Sequence, residues 1–137
     1  MTFVVPSTRD PVGGVAAVYE FANAFVRRGH DVNLLHVTLT GELVLSMEEL
    51  AWFEFEDNVR QYFLGSITEL PRADFVFAYK ESFPPEGGLP VVFVQGIDVL
   101  RPELNNTVFT QPCPQVCIAR WLVGLGHRAG VPEEQLV

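Results

Sequence analysis

The chain has 137 residues, which is one domain at about 100–200 residues each. Apolar residues make up 48% and charged residues 19%, a composition that folds around a core and argues against disorder. Nine basic against seventeen acidic residues leave a net charge of -8, the wrong sign for displacing counterions from nucleic acid.

Residues 2–6 (Thr-Phe-Val-Val-Pro) are an apolar run without alternation. That pattern predicts a strand buried on both faces, as in parallel sheets. A turn-rich stretch from Ser7 to Gly14 follows. Residues 15–28 then read as a helix, with Val18, Phe21, Ala22, Phe25 and Val26 on one apolar face. Arg27 and Arg28 suit its last turn and Gly29 its stop. Residues 31–37 predict the next strand, so the first 37 residues form a βαβ unit with a right-handed crossover.

The acid lies mainly in residues 41–70. There Glu42, Glu48, Glu49, Glu54, Glu56, Asp57 and Glu69 face Arg60 alone. Mixed with Trp52, Phe53 and Phe55, these acids suggest a partly exposed excursion with a solvated acidic face. Glu42–Ser46 reads as a short strand and Met47–Phe53 as a short helix. Further strands are expected at 59–64, 74–79, 90–95 and 116–119, and a helix at 121–129 ending at Gly130. The fold expected is a single α/β, Rossmann-like open sheet over residues 1–137, mostly parallel, with helices on both faces.

Ligands of such sheets sit beyond the carboxyl ends of the strands. Gly13 and Gly14 lie between a strand end and a helix N-terminus, where free N–H groups favour an anion. The same pair also fits a tight turn with no ligand. The neighbouring sequence matches neither Gly-Lys-Ser/Thr nor Gly-x-Gly-x-x-Gly. The polar residues expected at other strand ends include Lys80, the chain's one lysine, with Gln95, Asp98 and Arg120. Lys80 could hold a phosphate or carboxylate or be a solvated loop residue. Gln95 could bond a sugar hydroxyl or cap its own strand. Of His30, His36 and His127, His30 follows the first helix's stop and His36 lies inside a strand, neither at a strand's carboxyl end, and no Gly-x-Ser-x-Gly elbow appears. Cys113 and Cys117 offer two metal ligands without a second pair, so no metal site is expected. The cysteine count suits a reducing cytoplasm. No apolar run approaches the ~20 residues that span a bilayer, and the N-terminus does not read as a signal peptide.

In order along the chain, these pieces resemble the N-terminal domain of a GT-B, family-4-like retaining glycosyltransferase of the rhamnosyltransferase kind. Val5–Gly14 is similar to that family's first strand and Gly-Gly loop. Ala22–Val32 (Ala-Asn-Ala-Phe-Val-Arg-Arg-Gly-His-Asp-Val) resembles its Ala-x-x-Leu-x-x-Arg-Gly-His-x-Val signature. Ala73–Ala78, Val92–Glu103 and Val116–Val137 resemble later segments of the same domain. The resemblance implies that Gly13 and Gly14 reach toward a donor diphosphate. Lys80, Gln95, Asp98 and Arg120 become candidate acceptor or cleft contacts. Gln95 stands where many members carry His, and Ala119-Arg120 where Ser is frequent.

The implied activity moves a sugar from a nucleotide-diphosphate donor to an acceptor hydroxyl with retention, in cell-surface polysaccharide or glycoconjugate synthesis. The implied substrates are a sugar nucleotide and a glycan or lipid-linked acceptor, with no cofactor. The donor-binding C-terminal domain is expected to be absent from this chain, which is then inactive alone. The chain's partner would be that domain, and self-association through apolar surface near residues 96–130 is expected. Location would be cytoplasmic, with peripheral contact at the inner membrane face. The alternative is a non-catalytic Rossmann-like binding or interaction module.

Overall fold

The computed structural model describes residues 1–37, 44, 46–63, 72–78, 88–95, 109 and 112–137. Strand β1 is Thr2–Pro6, helix α1 Gly13–Arg27 and β2 Val32–Val37. A 3-10 turn at Met47–Leu50 precedes β3 (Val59–Phe63), β4 (Phe75–Ala78) and β5 (Leu89–Val94). Strand β6 (Gln115–Cys117), helix α2 (Arg120–Arg128) and a 3-10 turn at Glu133–Gln135 follow.

The six strands form one sheet in the order β3-β2-β1-β4-β5-β6, and every pairing is parallel. This is the order of a Rossmann-like sheet, and the strand order reverses between β1 and β4. The predicted strands and the predicted helices at 15–28 and 121–129 are present to within a residue or two at their ends, where described. The predicted helix at 47–53 is only the 3-10 turn. The strand expected at 42–46 falls largely outside the described residues.

Strand alternation assigns α1 and α2 to opposite faces. Phe3, Val5, Leu34, Val59 and Phe93 form one buried cluster with Val15, Val18, Tyr19 and Ala22 of α1. Val92 and Val94 project the other way and pack with Leu122 of α2. Val4, Leu35, Val76 and Ala78 continue that second face. The apolar stripe of α1 is turned from the one expected. Val15, Val18, Tyr19, Ala22 and Asn23 are buried, while Phe21 is 42% exposed and meets Phe93 edge-on at 5.2 Å. Rings at 21 and 25 cannot both centre on a stripe that Tyr19 and Ala22 occupy.

Both helices stop as their sequences direct. Gly29 and Gly130 each adopt φ of 85°, the left-handed geometry that glycine takes without strain.

The irregular segment 52–57 packs on α1. Asn23 Nδ2 donates to the Glu54 carbonyl at 2.9 Å, and the Glu56 N–H donates to Asn23 Oδ1 at 3.0 Å. Trp52, Phe53 and Phe55 turn toward the α1 core, each within 5.6 Å of the Tyr19 ring. Glu54 and Asp57 are exposed, which is the partly exposed acidic excursion expected from composition.

Candidate functional site

Strand β1 ends at Pro6, and residues 7–12 lead into α1 at Gly13. The N-cap position is Val12, whose side chain cannot accept a hydrogen bond, and no side chain caps the helix. The first turn carries no acidic residue. Its amides therefore lack the carboxylate or hydroxyl partner that such positions usually receive. An uncapped, acid-free helix start beside the strand-order reversal has the polarity to receive an anion.

The two glycines serve different ends. A Cβ on Gly13 would meet nothing within 4 Å. A Cβ on Gly14 would fall 2.5 Å from Gln95 Oε1. Gln95 follows the last residue of β5, and its Nε2 donates to the Gly14 carbonyl at 2.9 Å. Two of the residues singled out from sequence thus touch each other, across 81 positions of chain. Comparison of the chain with protein-family models, curated proteins and solved structures finds no match in any of the three.

The other predicted site residues are not gathered here. Arg120 is exposed at the first position of α2, three residues past the end of β6. No described contact joins it to Gly13, Gly14 or Gln95. Lys80 and Asp98 lie outside the described residues. A cleft of about 600 Å³ opens elsewhere, between α1 and residues 52–57, lined by Asn23, Trp52, Glu54 and Asp57 among others. Among the described residues no group of three or more His, Cys, Asp or Glu could hold a metal ion. None of the described helices is long and apolar enough to cross a membrane.

A buried polar chain, unforeseen from sequence, underlies the loop. Tyr19 Oη donates to Ser7 Oγ at 2.9 Å, and Ser7 Oγ bonds His36 Nδ1. On the other side of the ring, His36 Nε2 meets Gln61 Oε1 at 2.6 Å. His36 is the penultimate residue of β2, inside the strand as expected from sequence. Burial pushes its pKa down from 6.5 to about 4, against the opposing Gln61 bond. Burial likewise raises the Tyr19 phenol to about 12, against the bond to Ser7. At neutral pH the imidazole is uncharged. With the Gln61 amide oriented Oε1 toward the ring, the matching tautomer carries its proton on Nε2 and accepts from Ser7 at Nδ1.

A neutral imidazole beside a serine has the parts of a nucleophile and base. Here Ser7 is 5% and His36 1% exposed, and Phe63 stacks on the imidazole at 4.7 Å. The set is a polar core that fixes where β1 ends and the loop begins. Its sequence signals were slight: a serine just past an apolar strand, and a tyrosine inside a helix stripe.

The loop is held at further points. The Ser7 N–H donates to the Val37 carbonyl at 3.1 Å. Trp52 Nε1 donates to the Thr8 carbonyl at 3.1 Å, and Arg9 pairs with Glu49 at 2.5 Å.

Proposed function

We propose that the chain is the acceptor-binding half of a glycosyltransferase that moves a sugar from a nucleotide-diphosphate donor to an acceptor hydroxyl with retention, in cell-surface polysaccharide or glycoconjugate synthesis. The observation that carries this is the uncapped glycine turn at the start of α1, set past the end of β1. Diphosphate oxygens would accept hydrogen bonds from the Gly13–Val15 amides. The helix dipole would then stabilise the negative charge that builds on the leaving diphosphate. Gln95 Oε1, its amide oriented by the bond to Gly14, is an acceptor for a ligand hydroxyl. Acid or base chemistry is not asked of it. The second domain expected from the resemblance would hold most of the nucleotide sugar, and this half alone would not turn over. Self-association would run through Ile118 and Trp121, which are 50% and 54% exposed.

The test is a titration of the chain with nucleotide-diphosphate sugars, followed by amide chemical shifts. Shifts centred on Gly13, Gly14 and Val15 are expected, and shifts absent from that turn would sink the reading.

One observation favours a non-catalytic Rossmann-like module. Gln95 by itself accounts for a glycine at position 14, with no ligand needed. Under that reading Gly13→Ala leaves every binding property of the chain unchanged, whereas a diphosphate loop loses affinity.

A further inference from the structure

We propose that a pocket at the amino ends of the strands binds a small zwitterion of the α-amino-acid class, with Asn33 at its floor and Arg72 and Asp74 as its charged contacts. It lies at the other end of the sheet from the glycine turn and does not depend on the glycosyltransferase reading.

The pocket measures about 320 Å³ and is lined by Met1, Asp31, Asn33, Arg60 and residues 72–74. That is the small end of ligand pockets, which run from about 300 to 1,000 Å³. Asn33 is the second residue of β2. The parallel register sets Thr2 of β1 on one side of it and Arg60 of β3 on the other. Asp74 stands just before β4.

Asn33 points to a ligand because its amide is half used. The residue is 4% exposed. Its Nδ2 donates to Thr2 Oγ1 at 3.1 Å, while Oδ1 is buried without a partner. An orphaned buried acceptor destabilises a fold. The rest of this face is filled by Val4, Leu35, Val76 and Ala78, so an apolar residue would suit packing better. A half-turn of the amide would change only which atom is orphaned, since the Thr2 hydroxyl can donate or accept.

The charges around the pocket narrow the ligand. Arg60 pairs with Asp31 at 2.5 Å. Arg72 and Asp74 are exposed and have no ion pair among the described residues, although both line the pocket. A ligand carboxylate would meet the Arg72 guanidinium, and a ligand ammonium group would meet Asp74. The same two ligand groups supply Asn33 with a donor or an acceptor, whichever way its amide is turned. A plain anion would leave Asp74 unmatched, and a plain amine would leave Arg72 unmatched.

The test is a titration of the chain with each of the protein amino acids in turn. It is read on the backbone amides of residues 31–33, 60 and 72–74 and on the Asn33 side-chain amide. At least one amino acid should shift these signals saturably. Acetate and methylammonium, which carry one charge each, should bind at least about tenfold more weakly. Arg72→Gln and Asp74→Asn, at exposed positions, should each raise the dissociation constant of that amino acid about fivefold or more. The double variant Thr2→Val with Asn33→Leu replaces both bonded partners by apolar groups of similar shape. It should keep the thermal unfolding midpoint and still bind about fivefold more weakly or worse, a separation that a merely structural asparagine would not give.

No saturable shift with any amino acid overturns the proposal. Acetate or methylammonium binding as tightly as the amino acid overturns the zwitterion. Unchanged affinity in Arg72→Gln and Asp74→Asn, or in a folded double variant, overturns the site. Should the double variant unfold, the two exposed variants decide alone. None of these outcomes bears on the Gly13–Val15 turn.

Discussion

Ser7 ends the buried run that begins at β1, and its hydroxyl bonds Nδ1 of His36, near the end of β2. The pair joins two neighbouring strands through side chains at the place where their backbone pairing finishes, Pro6 with Val37. Tyr19 brings α1 into the same set and Gln61 brings β3. Four elements therefore depend on one uncharged imidazole.

Charging that imidazole should loosen the fold. The unfolded histidine takes its proton near pH 6.5 and the folded one only near pH 4. Between those values the unfolded chain binds more protons, so stability falls as pH drops through that window. At about 1.4 kcal/mol per pH unit, the loss from His36 is on the order of 3 kcal/mol. Urea unfolding from pH 7.5 to 4 should show it in the wild type. His36→Phe should be less stable at pH 7 and should show a correspondingly flatter profile. An identical slope in both proteins would assign the acid sensitivity to carboxylates.

The tautomer of His36 follows from its partners. Nitrogen NMR of the ring should report Nε2 protonated and Nδ1 bare at pH 7, because Gln61 Oε1 accepts. Ser7→Ala leaves Nδ1 and the Tyr19 hydroxyl only each other, at 3.5 Å, and should cost about 1–3 kcal/mol. A ring found protonated on Nδ1 would reverse the direction of the hydrogen-bond chain.

Neighbouring glycines should respond oppositely to alanine. Gly13→Ala meets open space and gains helix propensity, up to about 1 kcal/mol. Gly14→Ala drives a methyl to 2.5 Å from Gln95 Oε1, displaces the amide and loses its bond, for a net cost of about 1 kcal/mol. Thermal unfolding of the two variants decides it. Equal shifts in one direction would contradict the division of labour between the two positions.

Asn23 should matter more than its place in a helix suggests. Asn23→Ala removes both bonds to residues 54 and 56 and should destabilise by about 2 kcal/mol. Hydrogen exchange should then quicken across residues 52–57 before the sheet opens. Unaltered exchange there would mean that the rings around Tyr19 hold the segment without it.

The framework was legible because its signals are local. The unbroken apolar runs at 2–6 and 91–94, and Gly29 and Gly130 after their helices, each state one element. The Gly13–Gly14 turn was legible for the same reason. The buried polar chain was not, because Ser7, Tyr19, His36 and Gln61 meet only once β1, β2 and β3 lie side by side. Phe21 misled because a ring at helical spacing looks like core until Tyr19 and Ala22 take the centre of the stripe. Gln95 was singled out as a polar strand end, but its partner lies 81 positions back in the chain, beyond any spacing rule.

The strand order carries a consequence for how the chain reaches this state. Strands β1, β2 and β3 are neighbours in space and sequence, and so are β4, β5 and β6. The two groups meet along one seam, where Thr2 lies against Val76 and Val4 against Ala78. Closing that seam brings together residues more than half the chain apart, and the entropy of so long a loop is lost before the pairing returns anything. Refolding should thus be slow at this step, with strands 1–3 and α1 protected early. A nascent chain would expose the inner edge of β1 until β4 has been made.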